Sequence, residues 1–148
     1  MHLIIDGYEG NRQRLQDLEF IYGLLDEYPG RIGMRKIMPP YVFRYADSKP
    51  EDWGVSGFVL IAESHISLHT FPDKGYINID VFSCKEFDAA LVVEHMKEHF
   101  GLGKVRPKLL RRGLEYPMSI EEATGIVESE RLQLSFDKLR TPLSPARG

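Results

Sequence analysis

The chain has 148 residues, of which 43% are hydrophobic, 11% aromatic and 28% charged, and its net charge is −3. This length predicts one domain plus a tail, with enough apolar side chains for a core. No strongly basic field argues for nucleic-acid binding, and no acidic tract argues for a disordered charged tail. The single cysteine, Cys84, excludes an internal disulfide framework, and no apolar run has the length of a signal peptide or a membrane-spanning helix. We therefore expect a soluble cytoplasmic protein.

The first half of the chain alternates between strand and helix signals. Residues 2–5 are a short apolar run that ends at the turn-like DGYEG, and they predict a first strand. Asn11 is a candidate cap for a helix over 12–28, where apolar residues recur at helical spacing. The next segment has β-type composition but carries Pro39 and Pro40, which indicate a break or an edge strand. The nearly continuous apolar run VSGFVLIA then predicts a buried strand.

The second half begins with a predicted hairpin over 62–84. Residues 73–75 form its expected turn, because a glycine in the last position suits a three-residue loop. Residues 87–101 predict a second helix with one apolar face, and 104–110 predict a last strand that is interrupted by Pro107.

The order β-α-β-β-β-β-α-β predicts an α+β fold, a two-layer α/β sandwich whose mainly antiparallel sheet has two helices on one face. A homodimer that packs sheet against sheet would cover the other face and give a four-layer αββα assembly. We expect residues 1–114 to form this domain and residues 115–148 to form a polar C-terminal tail that is partly helical or mobile.

The predicted hairpin, AESHISLHTFPDKGYINIDVFSC, carries an unusual number of reactive side chains. With a loop at 73–75, counting back along the antiparallel strands sets Ser64 opposite Cys84, on one face. His69 lies five residues after Ser64, so strict alternation sends it to the other face. If all three act together, the strand must bulge or break between Ser64 and Leu68.

The same residues carry a family resemblance. GVSGFVLIAESHISLHTFPDKGY followed by IDVFSC resembles the signature of the short prokaryotic S-adenosylmethionine decarboxylases, which combines a G-[VI]-S-G turn, an apolar strand, E-S-H, H-T-[WF]-P-E and D-[VIL]-F-[ST]-C. The match covers 54–84 at nearly every motif position, and weaker similarity extends over about the first 115 residues.

The resemblance implies a proenzyme that cleaves itself. The Ser64 hydroxyl would attack the carbonyl of Glu63, and elimination would leave a β chain, 1–63, and an α chain, 64–148, that begins with a pyruvoyl group derived from Ser64. His69 would accept a proton during elimination, and Ser56 would help to stabilise the processing intermediate. Cys84 would be the proton donor in decarboxylation.

This chemistry is sensible because decarboxylation of an amino acid leaves electrons at Cα that need a sink, which no ordinary side chain provides. A pyruvoyl carbonyl can form a Schiff base with the substrate amine and accept those electrons. The product, decarboxylated S-adenosylmethionine, would serve spermidine biosynthesis as aminopropyl donor.

Three residues are candidate substrate contacts by the same resemblance. Phe71 stands where the family stacks an aromatic ring on the substrate's adenine, and Trp53 could offer a second ring. Asp73 replaces a family glutamate that resembles a ribose-diol acceptor, and its side chain is one methylene shorter. The chain also lacks the family's G-R-H-L opening. A pyruvoyl-dependent ornithine or arginine decarboxylase on the same scaffold therefore stays open.

Other classes of function also stay open at this stage. One is a non-catalytic homologue that binds a nucleoside without processing. His95 and His99, in HMKEH, fit the zinc-peptidase pattern H-x-x-E-H, but histidines near a helix end also complement its dipole, and we expect no metal. A Ser64–His69–Asp80 hydrolase lacks the G-x-S-x-G elbow.

Overall fold

The computed structural model describes residues 1–112, so the predicted tail at 115–148 lies outside the described residues. Six strands form one sheet in the order β2-β3-β4-β5-β1-β6, and every neighbouring pair is antiparallel. The elements are β1 (His2–Tyr8), α1 (Arg12–Gln16), α2 (Leu18–Arg31), β2 (Tyr41–Ala46), β3 (Trp53–Ile61), β4 (Ser64–Phe71), β5 (Tyr76–Ser83), α3 (Ala89–Phe100) and β6 (Lys104–Leu110). The predicted antiparallel α+β fold is confirmed. Within these residues, no helix is long and apolar enough to span a membrane.

The core lies between one face of the sheet and the helices. Side chains on the central strands alternate between a buried face, which packs against the helices, and a face that none of the described helices covers, as period-two patterning requires. The buried set comprises Leu3, Ile5, Val55, Val59, Ile61, Ile66, Leu68, Ile77, Ile79 and Val81 from the strands, and Leu15, Ile21, Leu24, Leu25, Tyr28, Val92, Met96 and Phe100 from the helices.

The first predicted helix is divided in two at Asp17. The backbone of Asp17 is extended, and its side chain accepts a hydrogen bond from the Phe20 amide, so Asp17 ends α1 and caps α2. The prediction of one helix over 12–28 is therefore wrong at this residue, because a local cap outweighs continuous helical periodicity.

Prolines mark both edges of the sheet. β2 begins directly after Pro39 and Pro40, as predicted for an edge strand. β6 runs through Pro107 without interruption, so the predicted break is wrong. Among residues 1–112, β6 has a neighbour on one side only, and proline is tolerated on such a strand because its missing N–H can face solvent.

The connection between β4 and β5 has four residues instead of the expected three. Pro72 is buried and starts a short 3-10 turn, Pro72–Lys74, and Gly75 follows in the left-handed conformation with φ 59°. The last strand pair is therefore Phe71 with Tyr76.

This extra turn residue shifts the predicted register. Ser64 lies opposite Ser83, so the predicted Ser64–Cys84 pairing is wrong by one residue. β4 pairs with both neighbours without a break from Ser64 onward, so the predicted bulge before Leu68 is wrong as well. His69 consequently stays on the face opposite the described helices.

We call that face the open face. On this face, strands β2 and β3 carry large apolar side chains that are 36% to 58% exposed, namely Tyr41, Phe43, Tyr45, Phe58 and Leu60. Exposed apolar patches of this kind are typical of interaction sites.

Candidate active site

The Glu63–Ser64 peptide bond lies at the tight turn between β3 and β4. Ile61 pairs with Ser64, which leaves Ala62 and Glu63 as the two connecting residues. The turn is attached to the segment before β2, because the Ala62 amide donates to the carbonyl of Arg35 at 2.8 Å. In return, the Arg35 amide donates to the Glu63 carboxylate at 3.2 Å. The two residues of this bond are thus half-buried, and hydrogen bonds with Arg35, which lies outside the hairpin, hold the turn in place.

Cys84 contacts this turn through its backbone. It follows the last residue of β5, and its amide donates a hydrogen bond to the Glu63 carbonyl oxygen at 3.1 Å. Its side chain is exposed and is a free thiol. Cys84 is therefore beside the Glu63–Ser64 bond, although the residue directly opposite Ser64 is Ser83.

The side chain beside the Ser64 hydroxyl is the imidazole of His65. Ser64 Oγ and His65 Nδ1 lie 3.2 Å apart, within hydrogen-bond distance. Burial lowers the pKa of His65, and the nearby His2 lowers it further, so the neutral imidazole is favoured. The sequence gives His65 no specific role; its only signals are its place directly after Ser64 and its match to the E-S-H element of the motif.

His65 packs in a row of aromatic rings that spans β4, β5 and β1. Phe82 is its cross-strand partner on β5, with ring centroids 5.8 Å apart, and His2 packs on Phe82 from β1 at 5.4 Å. His2 Nε2 lies 2.8 Å from Asp80 Oδ1. The guanidinium of Arg112 lies 4.1 Å from the centre of the Phe82 ring.

Ser56 and His69 form a second, separate pair. They are direct cross-strand partners on the open face, and Ser56 Oγ lies 2.9 Å from His69 Nδ1. Five residues of extended strand separate His69 from Ser64, which is about 17 Å. Within one chain, the structure therefore does not bring His69 and Ser56 to Ser64.

The two glycines beside Ser56 have a packing reason. A Cβ at Gly54 would come within 1.7 Å of the Thr70 carbonyl oxygen, and one at Gly57 within 2.9 Å of Leu25. Larger residues would push β3 away from β4 or from α2. The G-V-S-G motif thus sets the position of Ser56 against His69.

The candidate substrate residues lie together at the His69 end of the sheet. Trp53 Nε1 donates to Asp73 Oδ2 at 2.6 Å, and Arg12 donates to Asp73 Oδ1 at 3.0 and 2.7 Å. The hydrogen bonds from Arg12, and to a smaller extent the one from Trp53, hold the pKa of Asp73 below its usual range. Phe71 packs on Tyr76 with centroids 5.7 Å apart, and the Arg44 guanidinium lies 4.2 Å from the centre of a Trp53 ring.

The alternative sites are not assembled. Asp80 contacts His2, and His69 contacts Ser56, so the Ser64–His69–Asp80 constellation does not form. His95 Nδ1 lies 3.1 Å from the Tyr28 hydroxyl. Within residues 1–112, no three histidine, cysteine or acidic side chains lie close enough together to hold a metal ion.

Comparison with known proteins decides the family. The model of the family described as S-adenosylmethionine decarboxylase matches residues 1–113. The chain belongs to the S-adenosylmethionine decarboxylase family. The family predicted from the motif is thereby confirmed, and so is the class of enzyme that the family name states.

Relatives of this decarboxylase family occur in bacteria and archaea. An S-adenosylmethionine decarboxylase proenzyme from Clostridium botulinum strain Langeland is 34% identical over 113 residues, which cover 76% of this chain and 92% of that protein. A proenzyme of the same name from Pyrococcus furiosus is 35% identical over 103 residues, covering 69% and 70%. The crystal structure of adenosylmethionine decarboxylase from Aquifex aeolicus matches with a TM-score of 0.63 and 25% identity, over 76% of this chain and 89% of that one.

Proposed function

We propose that the chain is a proenzyme that cuts itself between Glu63 and Ser64 and then decarboxylates S-adenosylmethionine with a pyruvoyl group derived from Ser64. One observation carries the proposal: the Glu63 carbonyl oxygen accepts a hydrogen bond from the Cys84 amide, while the Ser64 hydroxyl contacts an imidazole. A backbone N–H aimed at a carbonyl oxygen stabilises the negative charge that develops there when a nucleophile attacks the carbon.

The cleavage runs in two stages. First, Ser64 Oγ bonds to the Glu63 carbonyl carbon, the C–N bond breaks, and the hydroxyl proton passes to the freed nitrogen, which leaves an ester. Second, a base removes the Ser64 Cα proton, and the Glu63 carboxylate leaves as the C–O bond breaks. The resulting dehydroalanine tautomerises to an imine. Water adds to the imine carbon and ammonia leaves, which produces the keto group of pyruvoyl.

The position of Ser64 suits such a group. After cleavage, the new N-terminal residue would begin β4 next to Cys84, which is not tied into any disulfide. The pyruvoyl carbonyl supplies the electron sink that decarboxylation requires. We assign Cys84 the role of protonating the substrate Cα, since its backbone lies at the cleaved bond and its thiol is free and exposed. A mechanism that needs a reduced thiol fits the cytoplasm.

The separation of Ser64 from His69 supports a homodimer with shared sites. Each chain has one complete Ser64–Cys84 end and one complete Ser56–His69 pair, about 17 Å apart along the strand. A second copy on the open face would bring its own Ser56 and His69 to the first copy's Ser64. The exposed apolar side chains around Phe58 provide the surface for this contact, in the sheet-on-sheet arrangement expected from the sequence.

In that assembly, the substrate-binding residues would come from the His69 side. Phe71 and Trp53 offer aromatic faces for the adenine and for the sulfonium cation. Asp73 already accepts bonds from Arg12 and Trp53, and a carboxylate oxygen keeps a further lone pair for a ribose hydroxyl. The product would then be the aminopropyl donor for spermidine biosynthesis.

The test is the intact mass of the purified protein. The wild type should give two chains that meet at residues 63 and 64, and Ser64→Ala should stay whole at 17.0 kDa. Ser67→Ala, on the same strand, is the matched control and should be cut like the wild type. An unbroken wild-type chain would support a non-catalytic nucleoside binder instead.

Carboxyl-labelled substrates then identify the reaction. Labelled carbon dioxide should be released from S-adenosylmethionine, and release from ornithine or arginine instead would assign the chain to those decarboxylases. Cys84→Ala should still be cut, at least in part, but should turn over about 100-fold or more slowly, as for loss of a positioned proton donor. Full activity in this variant would remove the proton-donor role.

A further inference from the structure

We propose that His65 is the base that starts the cleavage: His65 Nδ1 accepts the proton of Ser64 Oγ as that oxygen attacks Glu63, and the imidazole returns the proton to the Ser64 nitrogen as the C–N bond breaks. This inference rests on the proposed self-cleavage and assigns its first stage to a residue of the same chain. Atoms and charge balance, because the imidazole is neutral before and after this stage and the proton only moves from Ser64 Oγ to the Ser64 nitrogen.

The contact between the two side chains carries the inference. Ser64 Oγ and His65 Nδ1 lie 3.2 Å apart, the range in which a serine is activated by a base. In the part of the chain that the structure describes, no other side chain is within hydrogen-bond distance of Ser64 Oγ. His69, the other histidine of the hairpin, is engaged with Ser56 on the open face.

The charges around His65 suit a proton acceptor. Burial and the neighbouring groups His2 and Arg112 lower the pKa of His65, while Asp80 opposes them. The imidazole is therefore neutral at physiological pH, which a base requires. Its ring is also held, since it packs edge-on against Phe82 at an interplanar angle of 63°.

The two histidines then act at different stages. His65 would serve the attack on Glu63 from within the chain, and His69 of a second copy would serve the later removal of the Ser64 Cα proton. Loss of either should strongly slow processing, but at different stages. This difference separates a catalytic His65 from a merely structural one.

The experiment compares His65→Ala with His69→Ala. Hydroxylamine cleaves esters and leaves amides intact, so it reports whether the first stage has occurred. His69→Ala should accumulate an ester that hydroxylamine cuts at residue 63. His65→Ala should remain an intact amide that resists hydroxylamine, with cleavage slowed about 100-fold or more and partly restored by added imidazole.

Controls separate folding and the wider proposal from this role. His95→Ala removes an equivalent contact between an imidazole Nδ1 and a hydroxyl, that with Tyr28, and should be cut at the wild-type rate. His65→Asn keeps a polar side chain of similar reach that cannot take up a proton, and it should be as slow as His65→Ala.

Several outcomes would overturn the inference. Cleavage of His65→Asn or of a folded His65→Ala at the wild-type rate would overturn it. Accumulation of a hydroxylamine-sensitive ester in either variant would overturn it as well. An uncut wild-type chain would instead remove the proposed function itself. In His69→Ala, which isolates the first stage, the rate of ester formation should fall as pH drops and His65 becomes protonated; a rate that does not change with pH would count against the inference.

Discussion

Ser56 and His69 face each other across β3 and β4, with the hydroxyl oxygen 2.9 Å from the imidazole Nδ1, on the face of the sheet opposite to the helices. His69 is exposed there, and the end of β4 that carries Ser64 is about 17 Å away. If this pair acts on Ser64, as we propose, it can reach that residue only from a second chain. This requirement makes the proposed dimer testable without a structure of the dimer.

Co-expression of Ser64→Ala with His69→Ala should restore cleavage that neither variant shows alone. In a mixed dimer, one of the two sites combines an intact Ser64 with an intact His69. Random pairing should therefore leave about half of the His69→Ala chains cut, since half of the dimers are mixed. Mass measurement on the separately tagged chains checks this result. Absence of cleaved product in mixed dimers that are shown to form would contradict shared sites.

Phe58→Glu should dissociate the proposed dimer. The change puts a charge among the exposed apolar side chains of the open face, where burial against a second sheet would be costly. Leu91→Glu is the matched control, because Leu91 is 45% exposed but lies on α3, on the helix side. Analytical ultracentrifugation should show monomers for the first variant only. Dimers in both variants would place the interface elsewhere.

Thr70→Val should lower the free energy of unfolding by about 2–4 kcal/mol, because two buried backbone groups lose their partner. Thr70 is only 2% exposed, and its hydroxyl accepts from the Val55 amide at 2.9 Å and donates to the Leu15 carbonyl at 2.7 Å. Thr70→Ser keeps the hydroxyl and should lose less. Urea unfolding of both variants in the Ser64→Ala background, which should remain one chain, measures the two losses. Equal stability of Val and Ser variants would show that the hydroxyl bonds contribute nothing.

Stability should fall on acidification partly through His99. Burial, followed by the charges of Arg31 and His95, lowers the pKa of His99, whereas Glu98 opposes them and Arg14 adds to them. Below the unfolded value of about 6.5, the unfolded chain binds a proton more readily than the folded one, so the free energy of unfolding decreases as pH falls.

Replacement of this histidine by an uncharged side chain should remove that contribution. Between pH 7.5 and pH 5, urea unfolding should show a smaller loss of stability for His99→Gln in the Ser64→Ala background than for Ser64→Ala itself. The comparison uses the change with pH in each protein, so a constant packing loss in the variant cancels. A steeper loss in His99→Gln would reverse the sign of the argument.

The sequence predicted the strands and the family because both depend on patterns that are continuous along the chain. It missed the division of the first helix, since Asp17 was part of an unbroken helical periodicity and only its cap contact with Phe20 separates α1 from α2. It also missed the register by one residue, because a 3-10 turn that starts at Pro72 has no strong signature.

The contacts around Ser64 were harder to predict. The Cys84 amide reaches Glu63 because β5 lies beside the turn, a three-dimensional fact that the register error obscured. The Ser56–His69 pair could have been predicted by counting residues back from the turn, since a two-residue turn at 62–63 sets those residues opposite each other. The role that we propose for His65 depends on a side-chain rotamer, which no pattern of residue types specifies.

The strand order has a consequence for the refolding of the mature protein. Cleavage after Glu63 would leave β1, β2 and β3 on one chain and β4, β5 and β6 on the other, yet β1 lies between β5 and β6 in the sheet. The two products are thus interlaced, and neither carries a sheet that could close by itself. The uncut bond makes assembly unimolecular; once it is gone, denatured halves must meet by collision, so recovery becomes dependent on concentration. The enzyme would therefore be assembled once, as a single chain, and would lose that intramolecular advantage in the act of becoming active.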